Sequence, residues 1–337
     1  MQGVISAAET VVLVTGASNG IGRAIADLLA RSGFRVFGTS RRPQKAAPLE
    51  GVTYVALDLT DSGSIRACVE EVLARAGRID ALVNNAGLIG PGTASEEVDI
   101  QTVRDLFETN FFGVVQMTNA VLPHMRARRQ GRIINISSTA AQAALPPFFG
   151  FYSASKHALD AYSESLRYEV RPFGIQVAMV EPGYTQTEIG ENIRQPDHPV
   201  ADYAAARRRV TLINKAGLAY GSPPEQVARD VLRVLRARRP ALRAPSGLDS
   251  RALLFARRLL PEPLYDLLTR WMFFGWKPPR PMDETRDLPA PADLGLHGLL
   301  FHGPTFRRWF PAALFSAGAV AAAAAAAAVA ARWIRRK

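Results

Sequence analysis

A short apolar run delivered straight into a glycine turn constrains this chain most. Val11-Val-Leu-Val-Thr15 is followed by Gly16-Ala-Ser-Asn-Gly20-Ile-Gly22 and then by a helical pattern to about Arg31. An unbroken apolar run of this length reads as a strand buried on both faces, as in a parallel sheet. The glycines let backbone approach a ligand closely. The start of the helix offers unpaired N–H groups and the positive end of its dipole. Strand, turn and helix therefore predict a phosphate cradle formed by Gly16, Ser18, Asn19, Gly20, Ile21 and Gly22. The spacing is G-x-x-x-G-x-G rather than the G-x-G-x-x-G of the general dinucleotide fingerprint. A tight connection with no ligand is the competing reading.

Strand and helix patterns then alternate. Apolar runs at 34–39, 52–57, 79–83, 132–136 and 175–180 read as strands, with a weaker one at 241–244 that contains Arg243. Helical periodicity covers 64–76, 98–129, a run opening at Tyr152, and a run from Ser222-Pro-Pro-Glu225 to about Arg239. The expected fold is α/β: a Rossmann-type, doubly wound parallel sheet with helices on both faces, plus a C-terminal helical extension. The second strand ends in Ser40-Arg41-Arg42, where an NAD site usually carries an acid for the ribose hydroxyl. Two guanidinium groups suit a 2′-phosphate, so NADP(H) is favoured over NAD(H). A solvated pair before Pro43 is the alternative. Asp58-Leu59 ends the third strand, where Asp58 either meets an adenine amino group or caps the next helix in competition with Asp61 and Ser62. The small residues of Asn85-Ala86-Gly87 would let backbone lie against a flat cofactor, while Asn84 is equally readable as a brace within the sheet.

Tyr152 and Lys156 are spaced i, i+4 and share a helix face. A phenol with a pKa of about 10 is a poor acid near neutrality, and a neighbouring ammonium is expected to lower it. Ser138, at the end of the strand before, can bond the same substrate oxygen. Thr15-Gly-Ala-Ser-Asn-Gly-Ile-Gly22, Asn84-Asn-Ala-Gly87, Asn110, Ser138 and Tyr152-x-x-x-Lys156 stand in one order. As a set they resemble the short-chain dehydrogenase/reductase family, over about residues 11–247. The resemblance implies hydride transfer between NAD(P)(H) and a carbonyl/alcohol pair, with no metal. Tyr152 would be the acid or base, Lys156 would lower its pKa and bind the nicotinamide ribose, and Ser138, the second serine of its pair, would polarise the substrate oxygen. Asn110 would hold a water linking Lys156 to solvent, although a satisfied core amide fits its place in the helix as well. In the same family Pro182-Gly183 forms a turn against the nicotinamide. Thr187 would contact the carboxamide by side chain and Thr185 by backbone, and Gly183 would let the ring approach. Many members have one residue fewer between the serine and the tyrosine. Here that interval holds Pro146-Pro147-Phe-Phe-Gly150-Phe, an apolar wall for the substrate. His157 follows Lys156 directly, so it points away and is not expected to share the chemistry.

Residues 1–247 thus form the expected catalytic domain. Residues 248–277 read as amphipathic helices broken at Pro261 and Pro263, closing a substrate pocket in preference to dimerising or lying on a membrane. Residues 187–220 read as a mobile lid, with Arg207-Arg208-Arg209 on a solvated face. Residues 278–311 read as a Pro-rich linker and 312–331 as an alanine-rich helix. Twenty helical residues span about 30 Å, enough to cross a bilayer core. Tryptophan and arginine flank this segment at both ends, so membrane association is expected, spanning or lying on the surface. The 337 residues carry a net charge of +11. That balance admits nucleic acid, but the arginines are scattered without interleaved aromatics, so nucleic acid is not the expected partner. One cysteine, Cys68, excludes an internal disulfide framework. The N-terminus lacks a secretory pattern, and the catalytic domain is expected in the cytoplasm. A small-molecule carbonyl or alcohol, lipophilic in character, is the expected partner, with a homo-oligomer implied by the resemblance. A non-catalytic NADP(H)-binding regulator of the same fold is the alternative function, against which the intact Ser138, Tyr152 and Lys156 weigh.

Overall fold

The computed structural model describes residues 10–274 apart from 144–146, 188–195 and 197. Seven strands, β1 (Val11–Val14), β2 (Arg35–Ser40), β3 (Val52–Ala56), β4 (Ala81–Asn84), β5 (Gly131–Ile136), β6 (Ile175–Pro182) and β7 (Arg243–Ser246), form one sheet. Their order is β3-β2-β1-β4-β5-β6-β7, and every pairing is parallel. This is the expected Rossmann-like architecture. Strand order reverses between β1 and β4, and in such sheets the crevice at the carboxyl ends of those strands is where ligands bind.

Side chains alternate across the sheet, so each strand feeds two cores. Val11 and Leu13 of β1 pack with α2 (Ser62–Ala76), α4 (Gly113–Ala127) and α5 (Gly150–Val170) through Ile65, Val69, Met117, Val121 and Leu166. Val12 and Val14 pack on the other face with α1 (Gly20–Arg31) and α7 (Pro224–Arg236) through Ile25, Leu29, Val231 and Leu235. Arg132 of β5 turns its guanidinium to the carbonyls of Val234, at 2.6 Å, Leu235 and Ala237. A strand residue thereby caps the C-terminus of α7, where carbonyls lack partners and the dipole is negative.

Several boundaries differ from the sequence reading. The helix expected at 64 begins at Ser62, because the Asp61 side chain accepts a hydrogen bond from Gly63 N and caps it. The helix expected over 98–129 is α3 (Ile100–Phe107) and α4, joined by a π-helical turn at Glu108–Phe112. Close packing accompanies the interruption: a Cβ on Gly113 would lie 2.6 Å from the Leu59 carbonyl. The catalytic-type helix α5 opens at Gly150 rather than Tyr152. Part of the expected lid, 204–220, is the regular helix α6 (Ala204–Tyr220), anchored by buried Val210, Ile213 and Ala216. The C-terminal pattern gives α8 (Leu248–Leu259) and α9 (Glu262–Phe274), broken at Leu260-Pro261. Pro263 does not break a helix. It sits in the first turn of α9, where its missing N–H costs nothing. The expected linker at 278–311 and alanine-rich helix at 312–331 lie outside the described residues. Among the described residues no helix is long and apolar enough to cross a membrane. Cys68 is buried, and desolvation, aided by Glu71, pushes its thiol up to about 12, which fits a structural thiol.

Candidate active site

A cavity of about 970 Å³ opens at the carboxyl ends of the strands. One end is the glycine turn. Gly16 and Gly20 have φ of 66° and 52°, in the left-handed region. A Cβ on Gly22 would lie 2.1 Å from the Gly16 carbonyl, so α1 begins hard against the turn. Thr15 and Asn85 clamp this geometry. Thr15 Oγ1 accepts from Asn85 N at 2.9 Å and Ala86 N at 3.0 Å, and Asn85 Nδ2 donates to Thr15 O at 3.0 Å and Gly16 O at 3.2 Å. Asn84 turns away from the cavity and braces the sheet, donating to Asn135 Oδ1 at 2.8 Å and Thr118 Oγ1 at 3.1 Å. Arg41 and Arg42, both exposed, and Asp58 and Leu59 line the next part. Asp58 does not cap α2. Its carboxylate accepts from Thr60 N and Thr60 Oγ1, which together with Arg41 hold its pKa below the usual range.

Ser138, Tyr152 and Lys156 line the same cavity, with Gly87, Pro182, Gly183, Thr185 and Thr187. The Ser138 hydroxyl lies near the Tyr152 phenol and acts to lower its pKa. Ser137 points elsewhere, donating to the buried carboxylate of Asp160. Lys156 Nζ donates to the Ile136 carbonyl at 2.9 Å. Asn110, fully buried in the π-turn, accepts from Leu88 N at 2.7 Å and donates to Leu88 O at 2.8 Å and Ser155 Oγ at 3.1 Å. It therefore fixes the loop after Gly87, and a Cβ on Gly87 would come within 3.2 Å of its Oδ1 and 3.6 Å of Lys156 Nζ. His157 faces away, its Nδ1 at 2.7 Å from the Ala141 carbonyl.

The electrostatics correct one expectation. Burial raises the Tyr152 pKa, and the Ser138 hydroxyl only partly offsets it. Burial likewise lowers Lys156 to about 8, against the opposing charge of Asp160. Desolvation is the largest influence on each group, so the phenol is not made acidic by its place one turn from Lys156.

With this geometry in place, the comparisons are decisive. The family model for short chain dehydrogenase matches residues 10–198. The chain belongs to this family. A 3-ketodihydrosphingosine reductase from Bacteroides thetaiotaomicron is 39% identical over 239 residues, covering 70% of this chain and 87% of that protein. A crystal structure of a short-chain dehydrogenase from Streptomyces avermitilis is 37% identical with a TM-score of 0.67, covering 79% of this chain and 97% of the other. A short-chain dehydrogenase from Burkholderia cenocepacia, solved in complex with NADP, is 25% identical with a TM-score of 0.64, covering 78% and 99%.

As a short-chain dehydrogenase/reductase the protein is an NAD(P)-dependent oxidoreductase acting on a carbonyl/alcohol pair. The residues present fit a dinucleotide. The space a Cβ would fill at Gly16 and Gly22 is taken by backbone and by Ala86 and Asn85, and the Asn19 side chain does not cap α1, leaving the amides of its first turn for phosphate oxygens.

Further residues shape the site without standing out in the sequence. Glu97 is fully buried, accepts from Ala94 N and Val200 N at 2.9 Å each, and pairs with Arg207 of α6. Burial opposes its ionisation, but Arg207 and the two amides outweigh that and lower its pKa. Arg207 is thus an anchor for α6 and not part of a solvated face. Arg243 of β7 binds Asp160, Glu181 and Glu164, behind the helix that carries Lys156. Tyr184 donates to Asn214 of α6 at 2.8 Å, and both line the cavity with Leu253 of α8 and Phe273 of α9. Leu253 and Phe273 thus bring the C-terminal helices to the wall of the cavity. Of the apolar insert, Phe149 lines the cavity, and Phe148 adopts φ of 71° with its ring edge-on to Tyr203. Pro146 lies outside the described residues. No local pattern marks Glu97 or Arg243, because their partners are distant in sequence.

Proposed function

We propose that this oxidoreductase uses NADP(H) to interconvert a ketone and a secondary alcohol on a lipophilic substrate. The observation that carries the reading is that Ser138, Tyr152, Lys156 and the glycine turn line one cavity. The nicotinamide, when bound, supplies or accepts the hydride at the substrate carbon. The two hydroxyls flank the substrate oxygen: Ser138 polarises it, and Tyr152 gives it a proton in reduction or takes one in oxidation. Lys156, cationic near neutrality, binds the nicotinamide ribose and stabilises the phenolate left when Tyr152 has given up its proton. Asn110 holds the Leu88 loop and supports a water-borne relay to Lys156.

Arg41 and Arg42, which line the cavity, are the groups that would take a 2′-phosphate. The apolar side chains of Leu88, Phe149, Leu218, Leu253 and Phe273 and the name of the Bacteroides relative support a long-chain or otherwise lipid-like ketone. The basic-flanked apolar segment at 312–331 supports work at the cytoplasmic side of a membrane.

Two variants test the reading. Tyr152→Phe is expected to lower kcat by about 10²–10⁴ while cofactor affinity stays within about twofold. Activity near wild type would remove the mechanism. Arg41→Ala with Arg42→Ala is expected to weaken NADPH about tenfold or more and leave NADH nearly unchanged, read by fluorescence titration. Equal loss for both cofactors would end the NADP(H) preference.

A further inference from the structure

Asp249 has no part in the chemistry above, yet its carboxylate lies at the wall of the catalytic cavity. It stands in the first turn of α8, and its Oδ2 accepts a hydrogen bond from Tyr184 N at 2.8 Å. Two glycines make room for it. A Cβ on Gly183 would lie 2.0 Å from Oδ2, and one on Gly247 would lie 2.5 Å from Oδ1. The space beside Gly183 is therefore filled by a carboxylate from the C-terminal helices. The peptide it grips is held from the other side too: Ser222 N donates to Tyr184 O at 2.9 Å, and Thr185 bridges to Ser222. Tyr184 itself reaches Asn214 of α6.

We propose that Asp249 is a positioning residue, which fixes the backbone of Gly183–Thr185 and so sets the nicotinamide end of the cofactor site. The proposal rests on the reading of this crevice as a dinucleotide site. Release of Tyr184 N would remove the hold of α8 on this turn and leave it to the contacts with Ser222, Ser246 and Asn214, so the contacts expected of Gly183, Thr185 and Thr187 would lose part of their common frame. Burial pushes Asp249 up to about 6, with the amides of Ser250 and Tyr184 acting in the other direction. The sign follows directly. Above about 6 the group is a carboxylate and accepts strongly; below it the neutral acid is the weaker acceptor. Of the groups facing it, Glu181 is itself raised, by burial first and then by Asp160. The Tyr184 phenol is pushed up by burial and by Asp249 itself and stays neutral. Asn214 from α6 is uncharged. Glu181, whose carbonyl accepts from Ser250 Oγ, is paired with Arg243, and Asp230 of α7, which accepts from Ser246 Oγ, is paired with Arg233.

The test compares binding of NADPH and NADH with that of 2′-phospho-ADP-ribose and ADP-ribose, which lack only the nicotinamide. At about pH 8, Asp249→Ala is expected to weaken the preferred dinucleotide about tenfold and to leave its nicotinamide-free fragment within about twofold. Asp249→Asn, whose amide oxygen can still accept from Tyr184 N, is expected to recover most of that loss. It should also abolish the part of the wild-type fall in affinity between about pH 7 and pH 5 that the dinucleotide shows beyond its nicotinamide-free fragment, whose 2′-phosphate titrates in the same range. Equal weakening of dinucleotide and fragment, no weakening of either, or an acid fall confined to the dinucleotide that persists in Asp249→Asn would each overturn the positioning role. Failure of the wild type to bind any dinucleotide would overturn the cofactor reading with it, whereas failure of the variant contrast alone counts against Asp249.

Discussion

A lysine ammonium is costly to bury, and Lys156 is only 5% exposed. Its Nζ keeps one carbonyl partner, Ile136, and the field of Asp160 one turn further along α5. Those do not restore the ordinary value, so the group is charged below about pH 8 and neutral above it. Stabilising a Tyr152 phenolate needs the charged form. The kcat/KM for ketone reduction should therefore fall above about pH 8, in initial rates followed from acid to alkaline pH. Asp160→Asn, which removes the field that favours the ammonium, should move that limb to lower pH; an unmoved limb would show that Asp160 has no such influence. At this scale the sequence was informative about which residues meet and less so about their charge. Tyr152 and Lys156 share a helix face by spacing alone, but the desolvation that governs both depends on what covers them. Gly183 was expected to let a nicotinamide approach, and the group that lies beside it is the carboxylate of Asp249, which no local pattern marks.

Elements carry the next level of control. Asn110 reaches the Leu88 backbone because the helix widens into a π-turn at Glu108–Phe112, the kind of irregularity often found where a helix serves a site. Continuous apolar periodicity hid that widening. The start of α6 depends on one buried acid, since Glu97 binds Val200 N and Arg207 from a turn more than 100 residues earlier. Glu97→Ala leaves a half-hidden guanidinium and two amides without their acceptor, and should cost about 3–5 kcal/mol in denaturant unfolding. Limited proteolysis should then cut faster between residues 198 and 207. A variant as stable and as resistant as wild type would show that α6 is held by its apolar face alone. The expectation of a lid here came from weak periodicity and prolines. What holds the helix is a long-range ion pair, which no local pattern reveals.

Seen whole, the parallel sheet was readable because each buried strand is a short apolar run and each connection is a helix, which leaves a right-handed parallel arrangement as the economical solution. The last strand was the weakest in that reading, since Arg243 interrupts it. The structure resolves the conflict by giving that arginine three carboxylates. The C-terminal segment supports a prediction for the entire chain. Full-length protein is expected to sediment with phosphatidylcholine vesicles containing about a third phosphatidylglycerol, and a chain ended at residue 277 is expected to stay in the supernatant. Equal partitioning of both would locate any lipid affinity in the catalytic domain. The placement of Arg243 also has a meaning for synthesis. A nascent polypeptide extruded only as far as β6 would hold Asp160 and Glu181 with no cation between them, directly behind the lysine of the reaction centre. Arrival of the seventh strand settles that imbalance, so the surroundings of Lys156 are complete only once residue 243 has emerged.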